Sequence, residues 1–435
     1  MTPPRSDRLE AGPETRGLSP TRDVLANGVT ILTKQTRTTP AVTLHASLAA
    51  GSASDPSALA GVAHFMSRTI DRGTSRHSAD QIAEELDTRG VSLSVSVGRH
   101  ALSLVSTCLV EDFDVVLSLM ADIITSPTFP SEEVVRRRGE IVTLIRQDED
   151  SPAAVATDAL MAMLYGDTHP YGRPIRGTVA TAEQIDRDVL QRFHREHVSP
   201  DALTMAIVGD VEPGRAREAA AAAFGRWSAT SIDAMAWPPV PTASARRTRT
   251  IPMMNKSQTD IGYGFTAISR SDPDFYAYSL MNNILGQYSI GGRLGESIRE
   301  RQGMAYYVTS SLDANVVAGP LMIRAGVNPS NVERAVQSID RELASLKGDG
   351  PTEQEVAESK QYLVGSLPRA LETNAGIASF LQTIERFELG LDYDVRMPGL
   401  VQQVTRDEVH GAARRAIDPS KATVVVAGPY DGPLA

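Results

Sequence analysis

Apolar and polar positions along this chain follow two rhythms, one of period two and one of helical spacing, and their order in the first half returns in the second. Val24-Leu25-Ala26-Asn27-Gly28-Val29-Thr30-Ile31-Leu32 reads as strand, turn, strand, because Asn and Gly accept the positive φ that a tight hairpin turn requires. Residues 41–49 predict another strand. Residues 59–71 and 78–88 carry helical spacing, 91–97 and 101–109 alternate as strands around Gly98, and 110–125 and 131–147 are helical again.

After Gly303 the same succession appears: strands at 304–312 and 320–327, then helices at 328–346 and 352–367. The helix start Pro130-Ser131-Glu132-Glu133 has its counterpart in Pro351-Thr352-Glu353-Gln354. A duplication explains this order, and it predicts an α+β fold of two homologous halves, each an antiparallel sheet with helices packed on one face. Trp237-Pro238-Pro239-Val240-Pro241 sustains neither a helix nor a central strand, which places a linker at 237–249 between an N-terminal half at 22–236 and a C-terminal half at 250–435. Residues 1–21, rich in Pro, Gly, Arg and Glu at their start, read as a disordered tail.

Composition narrows the function classes. With 41% hydrophobic and 22% charged residues, the 435-residue chain is a soluble globular type, long enough for at least two domains. A formal charge of -10 argues against a nucleic-acid partner, since phosphate backbones are bound by clustered Lys and Arg. The run Arg136-Arg137-Arg138 is short and reads as a solvated helix face. A lone cysteine, Cys108, has no partner for an internal disulfide and reads as a buried strand thiol. No stretch reaches the roughly 18 apolar residues of a membrane span, so no membrane partner is expected and the cytoplasm is the expected location.

The chemistry-bearing segment is Gly61-Val62-Ala63-His64-Phe65-Met66-Ser67-Arg68, followed by Asp71-Arg72-Gly73-Thr74. It resembles the zinc signature of the pitrilysin family, the inverted H-x-x-E-H motif. There, two His at i and i+4 hold the metal from one helical face and a Glu at i+3 activates water. Only His64 matches here: Ser67 stands at the Glu position and Arg68 at the second His, and a guanidinium cannot ligate a metal. The resemblance places a third ligand ahead of an E-D-x-P segment, and Glu149-Asp150-Ser151-Pro152 puts Leu144 there. Glu140, one turn earlier, would still leave at most two strong ligands where catalytic zinc needs three. No metal is expected in this chain, with His64 a half-buried helix histidine.

The resemblance continues through Tyr165-Gly166-Asp167-Thr168-His169-Pro170-Tyr171-Gly172-Arg173-Pro174-Ile175-Arg176-Gly177-Thr178, similar to the family's H-P-x-G-R-P-x-x-G-T loop. It extends to Phe193-His194-Arg195-Glu196-His197 and to Ile207-Val208-Gly209-Asp210. His194 and His197 stand at i and i+3, the spacing of a metal pair, but with no third ligand nearby a structural role is expected.

Gly291-Gly292-Arg293-Leu294-Gly295-Glu296-Ser297-Ile298-Arg299-Glu300-Arg301-Gln302-Gly303-Met304-Ala305-Tyr306 resembles the family's S-R-L-x-x-x-I-R-E-x-x-G-L-A-Y segment. The likeness implies that Arg299 and Tyr306 reach the substrate carbonyl and stabilise a tetrahedral oxyanion. The bland alternative is a helix-end cation and the first core residue of a strand. Gly286, Gly291 and Gly292 suit either a mobile loop or plain turns.

Lost ligands beside a retained donor pair resemble two-subunit bacterial members of the family. What this implies is a non-catalytic subunit of a peptidase assembly, with no cofactor of its own, a zinc-bearing homologous partner and an unfolded peptide as substrate. The alternative is a structural or peptide-binding protein with no part in proteolysis. No G-x-S-x-G, Cys-His arrangement or phosphate-cradling loop suggests a different hydrolase.

Overall fold

The computed structural model describes residues 17–228, 235–287 and 291–432. The hairpin turn forms at Asn27 and Gly28, where Gly28 takes φ 97°, and joins β1 (Thr21–Val24) to β2 (Thr30–Gln35). There follow β3 (Ala41–Leu48), α1 (Val62–Ser67), α2 (Ala79–Thr88), β4 (Leu93–Val97), β5 (Leu102–Leu109) and α3 (Phe113–Thr125). The first half then runs through α4 (Ser131–Glu149), α5 (Pro152–Tyr165), α6 (Val179–Gln184), α7 (Arg187–His197), β6 (Leu203–Gly209) and α8 (Pro213–Phe224).

The second half contains β7 (Arg247–Pro252), β8 (Thr259–Thr266), α9 (Phe275–Gly286), a π-helical segment (Gly295–Arg301), β9 (Ala305–Leu312) and β10 (Pro320–Val327). It closes with α10 (Val332–Gly348), α11 (Glu353–Ala370), α12 (Asn374–Arg386), α13 (Tyr393–Gln403), α14 (Arg406–Ala416) and β11 (Thr423–Gly428).

The strands form a 6-stranded sheet in the order β1-β2-β6-β3-β5-β4 and a 5-stranded sheet in the order β7-β11-β8-β10-β9. Without β1 the first path matches the second strand for strand, so the α+β fold of two homologous halves holds. Each sheet is antiparallel except for one pair, β2 with β6 and β7 with β11. Those pairs run parallel because the chain returns to each sheet only after a long run of helices, the kind of crossover that parallel pairing needs.

Period-two patterning sorts side chains to the two faces of each sheet. Ile31, Val42 and Leu44 face the helices of the first half, whereas Leu32, Ala206 and Val208 face the other way and meet Ile377, Ala378 and Leu381 of α12. In β11, Val424 and Val426 pack on the second half's own helices, while Val425 and Ala427 meet Ala156, Leu160 and Leu164 of α5. Each half therefore lends one helix to the bare face of the other's sheet. Gly262 and Gly264 let α5 lie close on β8: a Cβ at Gly264 would sit 3.2 Å from both Leu160 Cδ2 and Leu164 Cδ1. Burial of each such leucine stabilises the pairing by about 1.5–3 kcal/mol.

Two boundary expectations change. Of the expected tail at 1–21, residues 1–16 lie outside the described residues. The Leu18 N–H donates to Asp394 Oδ2 at 2.5 Å, and its side chain packs with the α12 cluster, so the segment just before β1 is anchored. The expected linker at 237–249 ends earlier, because β7 begins at Arg247 and pairs with β11. Its proline-rich part is no free connector either: Trp237 and Val240 fill space against the α5 cluster. The glycine loop expected around Gly286, Gly291 and Gly292 flanks residues 288–290, which lie outside the described residues.

Candidate functional site

The loop before α6 and the start of α1 touch backbone to backbone. Gly61 has φ 95°, and a Cβ there would meet the Arg176 carbonyl oxygen at 2.4 Å; Gly177 has φ 71°, and its Cβ would meet the Ala60 carbonyl oxygen at 2.0 Å. Only glycine fits either position. Asp55 caps the same turn, accepting the Gly61 N–H at 2.6 Å and the Ala63 N–H at 3.0 Å, donors that a helix start leaves unpaired. Burial pushes the Asp55 carboxyl up to about 7 against those two bonds.

His64 is half-buried on α1, and its Nε2 has no hydrogen-bond partner among the described residues. Burial, followed by the charges of Arg176 and Arg68, pushes this imidazole down to about 4, which leaves it neutral near pH 7. Ser67 is 4% exposed and turns its hydroxyl back to the His64 carbonyl at 2.7 Å. Arg68 is exposed, and Arg176 pairs with Asp148 of α4. On that helix Leu144 is half-buried, and Glu140 is held by Arg137 at 2.6 Å. That contact places the Glu140 carboxyl below its ordinary range.

The structure thus brings His64 and Ser67, with Arg68 as the C-cap, onto one short helix packed against α4, the helix that carries Leu144 and Glu140, and it assembles no zinc site from them. One free imidazole, a hydroxyl spent on a carbonyl, a cation and an alkyl chain do not meet the demands of catalytic zinc. Among the described residues no cluster of His, Cys, Asp or Glu is arranged to hold a metal ion. His194 Nε2 bonds to the Ile124 carbonyl oxygen at 2.7 Å, and the His197 ring lies 4.4 Å from that of Phe193, so each is committed to packing.

Arg299 and Tyr306 lie in the other half. Arg299 belongs to the π-helical segment, an arrangement that often marks functional sites, and its nearest carboxylate among the described residues is that of Glu300 at 3.7 Å. Tyr306 lies at a register shift: Gly326 pairs with Tyr307 and Val327 with Ala305, leaving Tyr306 between them as the extra residue of a bulge. Its ring is 66% exposed between the buried Ala305 and the half-buried Tyr307. The first-core-residue alternative therefore falls; the bulge turns the side chain out of the sheet.

Sequence reasoning missed Asp55 and Arg176. The signal for Asp55 was an acid six residues ahead of a glycine that opens a helix; Arg176, quoted only as part of a loop, acts on His64 through its charge, a relation no local pattern reveals.

A family model for insulinase, peptidase family M16, matches residues 30–179, and one for the peptidase M16 inactive domain matches residues 184–363. An uncharacterized zinc protease of Mycobacterium leprae is 26% identical over 420 residues, 94% of this chain and 92% of its own. The uncharacterized zinc protease YmxG of Bacillus subtilis is 27% identical over 348 residues, 80% of this chain and 83% of its own. A crystal structure of a peptidase M16 inactive domain from Pseudomonas fluorescens superposes with TM-score 0.88 at 27% identity, covering 96% of this chain and 100% of that one. A Helicobacter pylori protease shares the fold, with TM-score 0.87 at 16% identity, covering 94% and 99%. With both halves matched and the superposition spanning nearly the whole chain, this protein belongs to the pitrilysin-type family, peptidase family M16.

Proposed function

We propose that this chain is a non-catalytic subunit of a zinc peptidase assembly in the cytoplasm. A homologous, zinc-bearing partner performs the hydrolysis, and this chain supplies Arg299 and Tyr306 to the carbonyl under attack. The observation that carries the reading is an asymmetry between the halves. The α1 helix keeps only His64 of a metal set, while the exposed Tyr306 and the weakly paired Arg299 remain free to donate. A phenol and a guanidinium fixed ahead of reaction stabilise a tetrahedral oxyanion better than water, which must reorient. Tyr306 belongs to β9, the edge strand of its sheet, where an extended peptide can pair through its backbone with little demand on sequence.

Supporting this reading is the zinc-protease description of relatives that match over most of their length. The test is to mix the purified chain with a zinc-bearing homologue from the same genome, then measure co-elution and peptide hydrolysis. Co-elution with a rise in hydrolysis supports the proposal. Failure of both overturns it, and co-elution without a rise favours a structural or peptide-binding protein.

A further inference from the structure

Between the two halves lies a cavity of about 760 Å³, the size of a small-molecule site. Its walls include Arg99 at the turn between β4 and β5, Arg173 from the loop before α6, and Arg386 at the end of α12. Long stretches of sequence separate these residues, and the fold gathers all three at one space. Trp237, from the segment that joins the halves, supplies an apolar wall.

None of the three guanidiniums forms an ion pair with a described carboxylate. Arg99 donates to the Pro170 and Arg173 carbonyls at 3.4 and 3.2 Å and lies 5.2 Å from the centre of the Tyr171 ring. Arg173 donates to Ser57 Oγ at 2.9 Å, and its Nε is buried with no partner among the described residues. Arg386 donates to Ser47 Oγ at 3.0 Å. Carbonyls, hydroxyls and a ring face orient a cation without neutralising it.

The acids nearby are already engaged. Asp55 on the cavity wall accepts from two N–H groups and acts on Arg173 only at longer range, Asp201 accepts from Ser199, and Asp158 and Asp313 act on Arg99 likewise at longer range. His100, on the same wall, donates to or accepts from Tyr171 at 2.5 Å, and burial with Arg386 and Arg99 close by keeps it uncharged near pH 7. Burial weighs on the charged forms of Arg99 and Arg386, yet an arginine cannot shed its proton. Cations held near burial with no carboxylate in direct contact are costly, and an anion entering the cavity relieves that cost.

We propose that the cavity between the halves binds a small polyvalent anion, carrying phosphate or carboxylate groups, through Arg99, Arg173 and Arg386. Planar guanidiniums donate paired, charge-assisted hydrogen bonds to either group, and the ligand ties together walls drawn from both halves. This reading is independent of any role in proteolysis.

The test is calorimetric titration of the full chain with inorganic triphosphate and, separately, with citrate, alongside the thermal midpoint at each anion concentration. Saturable binding of either anion, with a rising midpoint, is expected; whichever binds more tightly identifies the group preferred. Arg386→Gln and Arg173→Gln should each weaken binding by about 10- to 100-fold, the loss of one charge-assisted contact, while Arg136→Gln on the distant face of α4 should leave it unchanged. If Arg386→Gln fails to fold, Arg173→Gln, which disturbs only a contact to Ser57, carries the comparison. Absence of saturable binding by both anions in millimolar excess, or equal binding by the cavity and α4 variants, overturns the proposal.

Discussion

The Ser67 hydroxyl donates to the His64 carbonyl three residues back on α1, at 2.7 Å. A buried serine whose hydroxyl is turned onto its own helix supplies no carboxylate to activate water beside His64, so the loss of the site involves geometry as well as residue identity. Restoring one residue therefore restores nothing. Arg68→His alone should leave the dialysed protein without stoichiometric zinc, because two imidazoles are one strong ligand short. Ser67→Glu, Arg68→His and Leu144→Glu together should bring it to about one zinc per chain by elemental analysis, since catalytic sites take three protein ligands. One zinc per chain in the unaltered protein would sink this account.

Tyr306 and Arg299 make a prediction that rests on the proposed partner. Tyr306→Phe and Arg299→Ala should each lower peptide hydrolysis by the mixed assembly about 10²- to 10³-fold, the usual effect of removing one oxyanion donor. Neither substitution should shift the thermal midpoint appreciably, because Tyr306 is exposed at a bulge and Arg299 has only a 3.7 Å contact to its neighbour Glu300. Unchanged hydrolysis with assembly intact would favour a structural role.

Acid sensitivity follows from buried imidazoles. His45, His64 and His100 are each pushed to about 4 from an ordinary 6.5, chiefly by burial, and His169, His194 and His197 shift in the same direction. A group held below its unfolded value stabilises the fold fully above about 6.5 and loses that contribution as pH falls through about 4. Burial raises Asp55, Asp71 and Asp158, whose contributions run the other way, present at low pH and lost as pH rises; Asp55 loses its share through about 7. The histidines outnumber them, so the unfolding midpoint should fall between pH 6.5 and 4. His64→Gln should flatten that slope; an unchanged profile would show that His64 is not held neutral.

Much of the architecture was legible because duplication writes the same apolar rhythm twice. The strand expected at 320–327 is β10 (Pro320–Val327), and the turn at Asn27 and Gly28 forms where its residue types require it. What covers the second face of each sheet was not legible. The unbroken apolar run Val424-Val425-Val426-Ala427 announces a strand buried on both sides, but alternation cannot name α5 as the cover. The degenerate metal motif could be read directly, since one missing imidazole is a fact of sequence. The exposure of Tyr306 could not, because a bulge arises from the register of pairing with the next strand, β10, and not from the residue's own pattern. The meeting of Arg99, Arg173 and Arg386 is likewise a product of tertiary structure alone.

The exchange of α5 and α12 between the sheets predicts how the chain unfolds. Leu160 is fully buried against the second sheet yet belongs to the first half, and Leu381 is its counterpart in the opposite direction. Leu160→Ala should destabilise the protein by about 2–5 kcal/mol, the range for a buried leucine whose cavity cannot fully collapse. If the halves were thermodynamically independent, losing α5 packing would split a calorimetric scan into two transitions. Because each half buries its neighbour's otherwise bare sheet face, the scan should keep one transition at a lower temperature, as should that of Leu381→Ala. Separately expressed halves should aggregate, since one would expose Leu32, Ala206 and Val208 and the other Val425 and Ala427. Two soluble, independently melting halves would show that the exchanged helices are decoration rather than the joint that holds the chain together.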